Sequence, residues 1–172
     1  ERKNKVVGGV ALGHAVYMGP NRLQLVKVLV ENGASLKYIS DAGGSMLMNV
    51  CSNEDSDLGV LQLLLEKAKN TNQVNIKRRG RTLKWRNIHR LARFLIRTKL
   101  TKSGLFTFLA NEAGESVLFC AVRRGDVDVV NLLLRHGADP TIKNDLGKTP
   151  LDYCDAFPEL RGALKRVIHM QD

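Results

Sequence analysis

Between Gly114 and Pro140 the apolar positions fall at helical spacing and are cut by glycine at regular points. Leu118, Ala121 and Val122 give one apolar face at steps of three and four, which predicts a short helix starting after Ser116. Ser116, like Thr149 further on, is a residue whose side-chain oxygen can cap free backbone N–H groups. Gly125 breaks that helix. Val127, Val129, Val130, Leu132, Leu133 and Leu134 predict a second helix that is apolar on most of its surface, as expected where neighbours cover both sides. Gly137 suits a left-handed helix end, and Asn144-Asp145-Leu146-Gly147 suits a tight turn.

The same pattern returns along the chain. Glycines at 9, 43, 80, 114 and 147 are separated by 34, 37, 34 and 33 residues. A fixed period in this range means stacked supersecondary units. After Gly9 come Val-Ala-Leu-Gly-His-Ala and then Leu-Val-Lys-Val-Leu-Val-Glu-Asn-Gly-Ala-Ser; after Gly43 come Gly-Ser-Met-Leu-Met-Asn-Val and then Val-Leu-Gln-Leu-Leu-Leu-Glu.

Thr149-Pro150-Leu151-Asp152, Gly137-Ala138-Asp139 and Gly33-Ala34-Ser35 resemble the Thr-Pro-Leu-His start and Gly-Ala-Asp end of the ankyrin repeat. The resemblance is strong over 111–154, good over 9–66 and weak over 67–110. It implies an all-α ankyrin-repeat solenoid of stacked helix pairs with β-hairpin-like fingers. One domain over 1–172 would hold repeats at about 9–42, 43–79, 80–113 and 114–146, with a C-terminal cap at 147–172. It also implies a non-enzymatic module that binds other proteins through finger tips and inner helices.

The third interval fits poorly. Its closing glycine is expected at Gly104, but Ala92 replaces the turn glycine, and Arg97 and Lys99 fall where apolar residues belong. Trp85, Ile88, Leu91, Ala92, Leu95, Ile96 and Leu100 form one apolar stripe, and Arg86, Arg90, Arg93 and Arg97 a parallel basic one. Both run on across the expected turn, so 84–100 reads better as one amphipathic helix. Arginines at i,i+4 repel by a few tenths of a kcal/mol per pair, which an acidic neighbour or a partner would relieve. Glu54, Asp55 and Asp57, in an insertion of the second repeat, are candidate neighbours.

Charge sharpens this reading. Formal net charge is +10, yet the segment 67–111 holds 13 Lys or Arg and no acid, leaving 14 basic against 17 acidic residues elsewhere. A patch of one sign points to an anionic partner. In the ankyrin pattern Arg78, Arg79 and Arg81 occupy a finger tip, Arg90, Arg123 and Arg124 line the groove, and Lys148 flanks the next tip; Arg86 belongs to the basic stripe. Tyr38 and Ile39, in the finger before Gly43, are an apolar pair suited to partner contact. The expected ligand is an acidic or phosphorylated protein segment, whose oxygens match the arginine fork. The alternative is nucleic acid or an anionic membrane through 77–102. Against nucleic acid, the aromatics there, Trp85, Phe94, Phe106 and Phe108, are few and expected to be mostly buried. Against a membrane, the apolar face of the helix is expected to be used by the stack.

Other chemistry is not signalled. Gly8-Gly-Val-Ala-Leu-Gly-His-Ala15 lacks the Lys and Ser or Thr of a phosphate loop. His14, His89, His136 and His169 form no metal-ligand spacing, so no metal or cofactor is expected. Cys120 and Cys154 read as small core residues, and three cysteines without Cys-x-x-Cys fit an intracellular, reducing compartment. Lys77-Arg78-Arg79-Gly80-Arg81 resembles a nuclear-import signal, but a structured finger would present it poorly, which favours the cytoplasm. No stretch is long and apolar enough for a transmembrane helix. The start at Glu1, without Met, is that expected of a fragment of a longer protein.

Overall fold

A computed structural model describes residues 11–16, 21–53, 57–69, 73–155 and 157–169. Gly9, Glu54 and Asp55, singled out above, lie outside the described residues. The helices are α1 (11–15), α2 (Arg22–Glu31), α3 (Met46–Ser52), α4 (Leu58–Ala68), α5 (Leu83–Arg97), α6 (Gly104–Glu112), α7 (Val117–Arg124), α8 (Val127–Arg135) and α9 (Pro158–His169), with a 3-10 turn at Pro150–Tyr153 before α9. The fold is the all-α stack of helix pairs expected from the repeat.

The centre of the stack follows from composition. In α7 all six residues from Val117 to Val122 are buried, and in α3 Met46, Leu47, Met48, Val50 and Cys51 are buried. A helix without a polar side must be covered all round. These two cover each other, while α4 packs on both α3 and α8. The helix ends follow the turn chemistry: Gly33, Gly125 and Gly137 adopt positive φ. Asp57 and Asp126 cap α4 and α8, accepting from Gly59 N–H at 2.7 Å and Val129 N–H at 3.0 Å. Thr149 shares a capping box with Asp152. Ser116 sits at the expected start of α7, but its hydroxyl makes no cap bond and is buried without a partner.

The direct packing of α3 on α7 changes the picture of 80–113. That interval, expected as a repeat between the second and fourth, does not intervene between them; α5 and α6 pack chiefly on each other. Backbone bonds show how. Arg78 N–H donates to Glu115 O at 2.7 Å, and Gly114 N–H donates to Arg78 O at 3.1 Å. Asn75 Nδ2 donates to Gly137 O at 2.9 Å, and its Oδ1 accepts from Asp139 N–H at 2.9 Å. The chain after α4 therefore climbs one side of a finger to Arg79, leaves it as α5 and α6, and returns at Ala113 to descend the other side.

Two details follow. Gly104 opens α6 and closes nothing, because the left-handed residue after α5 is Lys99 at φ 57°. Also, 84–100 is largely one helix, as its uninterrupted stripes required. It ends at Arg97, with Leu100 beyond it.

Candidate functional site

The fingers lie side by side. Arg81 N–H donates to Asp41 O at 2.9 Å, and Asp145 N–H donates to Ala113 O at 2.9 Å. The contact is close: a Cβ on Gly43, which adopts φ +90°, would lie 2.2 Å from the Arg79 carbonyl oxygen. Asn144 shapes the last finger as an Asx-turn, its Oδ1 accepting from Leu146 and Lys148 N–H, both at 3.0 Å. Thr82 caps α5 by accepting from Trp85 N–H at 3.4 Å, so the helix rises directly from the finger tip.

Between this tip, the first turns of α5 and the Asp145 turn is a cavity of about 240 Å³. Arg78, Arg79, Arg86, Arg90 and Arg93 line it, with His89 and a single carboxylate, Asp145. The side chains differ in how their charge is used. Arg78 is buried and pairs with Glu112 at 2.9 Å. Arg79 is exposed, and its Nη1 donates to both Asp145 carboxylate oxygens, at 2.6 and 2.7 Å. Arg93 shares the same carboxylate, and Arg97 Nη2 donates to the Asp145 carbonyl at 2.9 Å. Arg86 and Arg90 are exposed, and their side chains make no ion pair or hydrogen bond among the described residues. With Arg78 offset by Glu112 and one of the Asp145 partners offset by that carboxylate, three cations on the lining stay uncompensated among the described residues. His89 is buried beside Trp85, with its Nε2 unpartnered. Burial pushes its pKa down, Arg78 and Arg93 add to this, and Glu112 and Asp145 oppose it.

The other expected site residues are spread around this cavity. Arg81 Nη1 donates to Ile39 O at 3.0 Å, locking one finger to the next. Arg123 does not reach the cavity: it stands over the Phe108 ring at 5.3 Å and lies 3.1 Å from Glu115. That ion pair lacks hydrogen-bond alignment, leaving the buried Glu115 oxygens without a donor. Burial raises the Glu115 pKa to about 7, against the lowering effect of Arg123 and Arg78. Arg124 is a strut, donating to the carbonyls of Cys51 and Asn53 and to Asp126. Lys148 is exposed over the Tyr153 ring at 5.4 Å. Tyr38 and Ile39 are half-buried and line a separate, apolar cavity of about 350 Å³ with Leu36, Gln73 and Ile76. Residues that periodicity did not assign to the site are Glu112, Glu115 and Asp145, which pair with arginines among the described residues.

Residues 113–145 match the family model of the ankyrin repeat. The chain carries an ankyrin repeat there. The matched stretch starts where the chain returns to the finger and contains α7 and α8, the pair that stacks on α3 and α4. Ankyrin repeats generally mediate protein–protein interaction and are generally non-enzymatic, and the match supports a generic protein–protein interaction module. Its arginine cavity lies at the edge of the matched repeat, roofed by α5. No helix among the described residues is long and apolar enough to cross a membrane.

Proposed function

We propose that the protein binds an acidic or phosphorylated segment of a partner protein, with the anionic group seated in the arginine cavity. The observation that carries this reading is the pair Arg86 and Arg90. They face a cavity already lined by Arg78, Arg79 and Arg93, yet have no compensating acid among the described residues. Like charges gathered on one helix face cost stability, and a bound anion relieves that cost. Arginine forks suit a carboxylate or phosphate in bidentate geometry, and charge-assisted hydrogen bonds are the strong ones. His89 Nε2 adds a nitrogen without a partner at the cavity wall. The apolar cavity of Tyr38 and Ile39 lies against the neighbouring finger, where an extended peptide places a hydrophobic side chain. Arg123 and Arg124 serve the stack in this reading.

The test is a peptide array with fixed phosphoserine, aspartate or serine amid degenerate flanks, followed by titration of the selected sequences. Binding of the phosphoserine or aspartate series, weakened about tenfold or more by Arg86→Glu with Arg90→Glu, supports the reading. Equal capture of the serine series overturns it.

A further inference from the structure

The hairpin of α5 and α6 carries a second feature that the cavity does not use. Of the ten most exposed large apolar side chains among the described residues, six lie on it: Leu83, Leu91, Phe94, Leu100, Leu105 and Phe108. Phe108 is spoken for, beneath Arg123. Leu83, Leu91 and Phe94 share one side of α5 through steps of eight and three, while Leu100 and Leu105 sit at the hairpin's far end.

The end itself is built to hold Leu100 outward. Lys99 N–H donates to Ile96 O at 3.2 Å and Leu100 N–H to Leu95 O at 3.0 Å, the paired bonds of a Schellman turn. Among the described residues this turn occurs twice more, after α2 and after α8. There the left-handed residue is Gly33 or Gly137, and the next is Ala34, half-buried, or Ala138, buried. At the hairpin end those places hold Lys99, in a conformation that disfavours any side chain, and Leu100, 68% exposed. The ordinary apolar closure of the motif is thus replaced by a leucine facing solvent between Lys99 and Lys102.

We propose that this hairpin end docks on an anionic lipid surface, with Leu100 and Leu105 entering the interface and Lys99 and Lys102 meeting the headgroups. Charge opposes two copies meeting through this same face, because 67–111 contains no acid to answer its 13 cations. A helical protein partner needs a groove to receive it, whereas these side chains sit on the outer end of a two-helix projection. A bilayer accepts such a convex end, which would reach about 5–10 Å into the headgroup boundary. The apolar face of α5 is only partly used by its packing on α6, since Leu91 and Phe94 stay exposed. This inference does not depend on the arginine cavity.

The experiment is flotation of the 172-residue protein with phosphatidylcholine vesicles, with and without about a third phosphatidylserine. The expected result is flotation with the anionic vesicles alone. Leu100→Ser with Leu105→Ser should weaken it about tenfold or more at every salt concentration. Lys99→Glu with Lys102→Glu should lose about fivefold per cation at low salt. Both pairs are exposed, and circular dichroism checks that the variants stay folded. No flotation with anionic vesicles overturns the proposal. So does flotation indifferent to the leucines, which would mean charge attraction without insertion.

Discussion

Glu115 is the residue whose surroundings are least ordinary. It has no exposed side-chain surface, an unaligned arginine 3.1 Å away and a pKa raised to about 7. An acid whose folded pKa is raised holds its proton longer in the native state than in the unfolded chain. Stability is then greatest below the unfolded value of 4.5 and is lost as pH rises towards 7. The loss is at most about 3 kcal/mol for this group. Urea unfolding from pH 4 to 8 should show the wild type losing stability relative to Glu115→Gln across that window; parallel curves would contradict it. Asp145 gives a second residue-scale expectation. It occupies both Arg79 and Arg93, so it competes with any incoming anion. Asp145→Asn should strengthen phosphopeptide binding severalfold by titration calorimetry, whereas unchanged affinity would mean that those arginines do not reach the ligand. At Gly43 the Arg79 carbonyl leaves no space for a methyl group and φ is positive. Gly43→Ala should cost more than about 1 kcal/mol in chemical denaturation.

At the level of elements, the helix pairs were legible because their apolar steps and glycine stops are local facts. The single helix at 84–97 was legible too, from stripes that ignored the expected turn. What the period concealed was its own accident: the α5–α6 excursion is close to one repeat in length, so the glycine rhythm continues through it. Only the long-range bonds of Arg78 with Gly114 and Glu115 reveal that the finger is made of two distant segments. The aromatics show the same limit. Most of Trp85, Phe94, Phe106 and Phe108 were expected to be buried, but on a hairpin that packs chiefly on itself Phe94 and Phe108 are exposed and Trp85 and Phe106 half-buried. The excursion carries an expectation of its own. Replacing 82–112 by a short glycine linker should leave a cooperative thermal transition, because α3 meets α7 without it. Loss of cooperative unfolding by circular dichroism would show that the hairpin is needed for the stack.

For the whole molecule, the location of the cations was legible and their use was not. Which arginines stay uncompensated depends on Glu112, Glu115 and Asp145. None of these lies within the basic segment, and all arrive through folding. The result is a division of labour: Arg78, Arg123 and Arg124 hold the stack together, while Arg86 and Arg90 stand open beside Arg79 and Arg93. The measurement closest to this claim is fluorescence anisotropy of an array-selected phosphoserine peptide, against its serine counterpart, with wild type and Arg86→Glu/Arg90→Glu. Tight binding of the phosphopeptide alone, falling with salt and lost in the folded double variant, is the expected result. Equal binding of both peptides, or a double variant that binds as well as wild type, would contradict it.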